Sequence, residues 1–129
     1  MIKILHRVNT LDELINANKS YGVEVDVHAY GEKLIVHHNA FENGPALSDW
    51  LSECGERFVI FNIKEEGIEV RVRDMALEFE VTNFMLLDLS FPALIKMTNK
   101  SFMVIIAISL IISSNLFSEE ITFNSASPF

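Results

Sequence analysis

Two carboxylates and two histidines lie close together early in the chain. In Val23-Glu24-Val25-Asp26-Val27 apolar and acidic residues alternate. A strand points successive side chains to opposite faces, so Glu24 and Asp26 share one face and the three valines the other. Two carboxylates on one face repel each other, and burying them is costly unless a cation sits between them. A second extended run, Leu34-Ile35-Val36, delivers His37-His38-Asn39 at its end. One of these imidazoles can point back over the acidic pair, and the sequence leaves open which. An acid pair followed closely by histidine has the makings of a divalent-metal site with an acid/base imidazole beside it. The competing reading is a solvated polar face on an antiparallel strand, with two surface histidines.

These residues need a scaffold, and the rest of the chain describes one. Met1 to Leu5 reads as a strand that ends at His6-Arg7. Asn9 or Thr10 can cap the helix that follows, with Glu13 completing a capping box after Thr10. Leu11, Leu14, Ile15 and Asn18 would form its inner stripe. Strand two is expected at Val23 to His28, and Gly31 marks a tight turn into a strand over Leu34 to His37. Pro45 starts a helix over Ala46 to Glu53, with Leu47, Trp50 and Leu51 on its apolar face and Cys54-Gly55 as its stop. Trp50 could stack on a ligand, but packing against the sheet is the better reading. Phe58 to Ile63 is a buried strand with Asn62 and Lys64 at its exit. Gly67 to Glu80 fits either period, and its length favours helix. Phe84 to Leu87 is a further strand ending at Asp88, and Ser90 and Pro92 open a helix to about Thr98.

Alternating strands and helices imply an α/β fold of parallel strands with right-handed crossovers. In such sheets ligands bind beyond the carboxyl ends of the strands. His6, Arg7, Glu24, Asp26, His38, Asn62, Lys64 and Asp88 all fall at or near ends of that kind. Their convergence says more than any single motif.

The 129 residues suit one domain, short of the roughly 250 typical of a complete eight-stranded α/β barrel. The net charge of -8 leaves no basic patch for nucleic acid. A single cysteine, Cys54, excludes an internal disulfide or a cysteine-based zinc cluster. The N-terminus reads as a strand and not a secretory leader, so the expected location is cytoplasmic. Residues 1–100 form one compositional unit and residues 101–129 another. Phe102 to Ile112 is almost wholly apolar, and no basic residue follows Lys100. The expectation is a buried strand and a loose Ser-rich tail. A membrane anchor over residues 102–117 and an altered or truncated reading frame near residue 101 are the alternatives.

At His6-Arg7, Asn9-Thr10, Glu24-x-Asp26 and His38 the chain resembles the glycerophosphodiester phosphodiesterase family, itself similar to the phosphatidylinositol-specific phospholipases C. The matching segments are HRVNT, VEVDV and LIVHHN. Order and spacing agree over roughly Ile2 to Leu51 and more loosely to Pro92. The resemblance implies the N-terminal part of a TIM-type (β/α) barrel and metal-assisted phosphodiester cleavage. It implies Mg²⁺ or Ca²⁺ on Glu24 and Asp26, phosphate binding by Arg7 and Lys64, and His6 and His38 as the acid/base pair. His37 remains an alternative to His38, and His28 is expected as a rim residue. The expected partner is a small phosphodiester, and the open sheet edges of a partial barrel favour self-association. Two positions depart from the family's pattern. Asn39 stands where it has aspartate, and Asn62 where it has a glutamate that serves as third metal ligand. A neutral amide holds a divalent cation more weakly, so an inactive remnant or phosphate-binding module of the same fold is the second reading.

Overall fold

The computed structural model describes residues 1–98 and 121–125. In chain order the elements are β1 (Ile2–His6), α1 (Leu11–Asn16), β2 (Gly22–Tyr30), β3 (Lys33–Val36), α2 (Leu47–Ser52), β4 (Val59–Ile63), α3 (Glu69–Glu78), β5 (Phe84–Leu87), α4 (Phe91–Thr98) and β6 (Ile121–Ser125). The sheet runs in the order β5-β4-β2-β1-β6, with β3 added alongside β2. Every pair along that path is parallel, and only β3 is antiparallel to its neighbour. The architecture is mixed α/β, with the parallel sheet curled into a half-barrel.

The antiparallel placement of β3 follows from chain length. Tyr30 pairs with Lys33, so only Gly31 and Glu32 connect the strands. A two-residue link allows a hairpin and forbids a crossover. Gly31 has φ of 59°, the left-handed conformation such a turn needs and which glycine adopts without a Cβ clash.

Two buried layers flank the sheet. On the helix side, Val23, Val25 and Val27 of β2 pack with Val59, Phe61 and Ile63 of β4 and with Leu14, Leu47, Trp50 and Val72 from the helices. Phe61 lies edge-on to Trp50 at 6.4 Å and to Phe84 at 5.6 Å. Trp50 is fully buried, and its indole Nε1 donates to the Val8 carbonyl at 2.9 Å. It therefore packs, as expected, and ties α2 to the segment leaving β1. On the other face Ile4, Ile60 and Met85 form a smaller apolar cluster. Glu24, Asp26 and Asn62 share that face, because strand alternation places them opposite the valines.

The helices match the sequence with two differences. Thr10 caps α1 through a complete capping box with Glu13. However, α1 ends at Asn16 and Ala17 is extended, so the stripe expected to reach Asn18 is cut short. Ile15 is consequently 53% exposed and only Leu14 of the helix is buried. The ambiguous stretch after Gly67 is helix, with Val72 and Ala76 buried, although Phe79 at its C-cap emerges toward solvent.

Residues 121–125, expected to be part of a loose tail, form β6. It pairs with β1 over five residues, from Ile2↔Ile121 to His6↔Ser125. The apolar strand, anchor and frame alternatives expected over residues 102–117 and near residue 101 lie outside the described residues. Among the described residues no helix is long and apolar enough to cross a membrane.

Candidate functional site

The site starts from the pairing of β2 with β4. Register sets Asp26 beside Asn62 and Glu24 beside Ile60. Both carboxylates are about 1% exposed, so each must be satisfied by the protein around it. All four carboxylate oxygens have such partners.

Glu24 Oε2 accepts from the Arg7 backbone N–H at 2.7 Å and lies 3.0 Å from His6 Nε2. Arg7 has φ of 57°, in the left-handed region, at the point where its N–H meets the buried carboxylate. Its guanidinium makes no ion pair with a described residue. Asp26 Oδ2 accepts from Asn9 Nδ2 at 2.9 Å and lies 3.0 Å from His38 Nδ1. Asn9 closes a second bond by accepting from the Asp26 backbone N–H at 3.0 Å.

Between the carboxylates sits the amide of Asn62. Its Nδ2 donates to Glu24 Oε1 and to Asp26 Oδ1, each at 3.1 Å. Lys64 Nζ adds a positive charge 3.3 Å from Asp26 Oδ1. Burial works against the Asp26 carboxylate. Asn9, His38 and Lys64 together outweigh it and hold the Asp26 pKa below the usual carboxylate value.

The two histidines of the HHN run separate here. His38 turns over Asp26, with 43% of its side chain exposed. His37 turns away: its Nε2 lies 3.2 Å from Glu42 Oε2, and its Nδ1 accepts from the Asn39 N–H at 2.9 Å. When His38 donates from Nδ1 to a carboxylate, the neutral ring offers Nε2 to solvent as a base. His6, with 40% of its side chain exposed, flanks the pair from the β1 side.

Of the residues expected to converge, His6, Arg7, Glu24, Asp26, His38, Asn62 and Lys64 make one connected cluster. Asp88 does not join it; it is exposed at the end of β5 with φ of 60°. His28 lies on the same face of β2, one residue past the last pairing with β4 at Val27, and is buried there. Its Nε2 lies 3.3 Å from the His38 carbonyl, and its Nδ1 lies 3.6 Å from Glu65. Asn9 is the member that sequence reasoning undervalued, treating it as a helix cap and motif residue. The usable signal was an amide one residue ahead of the helix cap Thr10, within reach of the neighbouring strand.

A hard cation would need oxygen donors. Among the described residues no three His, Cys, Asp or Glu side chains are grouped to hold a metal ion. The third oxygen available beside Glu24 and Asp26 is Asn62 Oδ1, which is buried and has no hydrogen-bond partner. Turning that amide about its axis exchanges its nitrogen and oxygen. An oxygen facing two carboxylates is repelled unless a cation lies between them. A two-carboxylate, one-amide oxygen set then suits Mg²⁺ or Ca²⁺. The orphaned oxygen makes the residues present compatible with such an ion.

None of the family models, curated proteins or solved structures compared with this chain matches it.

Proposed function

We propose that this protein is a metal-assisted phosphodiesterase of the glycerophosphodiester type, acting in the cytoplasm, with its half-barrel as the N-terminal part of a TIM-type barrel. One observation carries the reading. Two carboxylates buried on one face of a parallel sheet each hold a half-exposed imidazole at 3.0 Å. A carboxylate behind an imidazole fixes the ring's orientation and tautomer, which an acid/base pair requires.

The roles follow from position. One of His6 and His38 takes the proton from the attacking nucleophile, and the other protonates the departing alkoxide. The Arg7 guanidinium, which has no ion pair among the described residues, and Lys64 hold the phosphate against an overall charge of -8. A Mg²⁺ or Ca²⁺ ion on Glu24, Asp26 and the Asn62 amide oxygen would neutralise charge building on the phosphate oxygens. Asn9 and the Arg7 backbone N–H keep the two carboxylates pointed toward the cluster.

A second reading has its own support. Asn62 already bridges the carboxylates and Lys64 pairs with Asp26, so every carboxylate oxygen is satisfied as it stands. A phosphate-binding remnant without turnover would look the same.

Hydrolysis of a chromogenic phosphodiester with Mg²⁺, Ca²⁺ or Mn²⁺, by the wild type and by His6→Ala and Glu24→Ala, separates the two. Metal-dependent turnover lost in both variants supports the enzyme. A folded wild type with no turnover under any cation supports the remnant.

A further inference from the structure

The loop between β3 and α2 presents a phenylalanine three residues after His38 in the chain. Phe41 is 98% exposed, more than any other large apolar side chain among the described residues. Its φ is 63°, in the left-handed region that a residue with a Cβ adopts only at a cost. A strained backbone costs folding free energy, and a fully exposed aromatic ring contributes none in return.

The loop is held in that shape. Asn39 Nδ2 donates to Glu42 Oε1 at 3.3 Å, and Glu42 also meets His37 at 3.2 Å, so the residues flanking Phe41 are tied to each other. Gly44 N donates to Asn43 Oδ1 at 2.9 Å. A Cβ at Gly44 would overlap the Val36 carbonyl oxygen, so only glycine lets the loop approach β3 this closely. Phe91, 72% exposed, is the first residue of α4 and follows the exit of β5. It too belongs to the carboxyl-end rim, where ligands of such sheets bind.

From this placement we infer that Phe41, with Phe91 as a second contact, grips an apolar group on one alcohol of the substrate. The substrate class becomes phosphodiesters that carry an alkyl or acyl chain. This rests on the phosphodiesterase reading of the same site. The chain of a single molecule is the occupant that the charges favour. Glu42, Glu65, Glu66 and Asp88 stand exposed in the loops at this rim, and the net charge is -8, which repels a phosphate-rich bilayer surface.

The test compares hexylphosphocholine with glycerophosphocholine, two soluble diesters that differ in one alcohol. In Phe41→Ala the ratio of kcat/KM for the hexyl over the glycerol diester should fall about tenfold, as expected when a few methylenes lose their cover. Phe41→Leu should keep most of the ratio, and Phe91→Ala should lower it by a smaller factor. An unchanged ratio overturns the inference, whether both rates fall together or neither moves. So does loss of phosphatidylcholine-vesicle binding in Phe41→Ala with the ratio intact. If the wild type hydrolyses neither diester, the phosphodiesterase reading fails. Calorimetric binding then decides the role of Phe41 separately: hexylphosphocholine bound about tenfold more weakly by Phe41→Ala supports it, and equal binding overturns it.

Discussion

Replacing Asn62 by aspartate reverses the electrostatics at the centre of the cluster while leaving its shape nearly unchanged. The amide donates to Glu24 Oε1 and Asp26 Oδ1 at 3.1 Å each, and both carboxylates are about 1% exposed. Hydrogen bonds to charged groups contribute roughly 1.5–3 kcal/mol apiece, so losing two costs about 3–6 kcal/mol before relaxation. A third carboxylate in the same space adds repulsion, which uptake of a proton relieves in part. A net loss of about 3–5 kcal/mol in unfolding free energy is expected without divalent cation, in line with breaking a buried charged network. The aspartate also supplies the acidic oxygen that the amide lacks. Ca²⁺ at about one hundred times its dissociation constant should therefore restore about 2.7 kcal/mol. It should stabilise the variant more than it stabilises the wild type. Urea unfolding followed by Trp50 fluorescence, with EDTA or with Ca²⁺, reads both numbers. A variant within about 1 kcal/mol of the wild type in EDTA would refute the bridging role of the amide. Equal Ca²⁺ stabilisation of both proteins would refute the cation site.

Two further outcomes concern pH and accessibility. The folded-state pKa of Asp26 is lowered from 3.8, so on acidification the unfolded chain takes up this proton first. The stability it contributes is full above that ordinary value and is lost as pH falls through the folded one; Asp26→Asn should flatten the stability curve below about pH 4. Burial, opposed by the nearby Arg57, pushes the Cys54 thiol from 9.0 up to about 11. The native thiol should thus resist Ellman's reagent at about pH 8 and react at once in urea. Its contribution to stability is present below 9.0 and is lost as pH rises toward about 11.

How much of this was legible in the sequence depends on the range of the interaction. The Val-Glu-Val-Asp-Val alternation put both carboxylates on one face, because side-chain direction in a strand is set by local geometry alone. The Thr10–Glu13 capping box was likewise local and was readable. Ile15 misled because amphipathic periodicity does not announce where a short helix stops, and α1 ends one residue later. The strand at Ile121–Ser125 was hidden by its serine-rich surroundings, since its pairing with β1 spans more than a hundred residues. His37 and His38 could not be told apart by type. The bond from the His37 N–H to the Asp26 carbonyl and the anchoring of the His37 ring by Glu42 decided which ring faces the site. The Asn62 amide is the largest surprise. Read only as a weakened metal ligand, it also donates to both acids, a role visible only once β2 and β4 are in register.

The separation of the two neighbouring histidines offers the most direct measurement. His38 lies 3.0 Å from Asp26, whereas His37 is taken up by Glu42 and the Asn39 N–H. Metal-supported hydrolysis of bis(p-nitrophenyl) phosphate should fall by about a hundredfold or more in His38→Ala and by less than about threefold in His37→Ala. Equal losses in the two variants, or a larger loss in His37→Ala, would contradict the assignment of acid/base chemistry to the Glu24–Asp26 cluster.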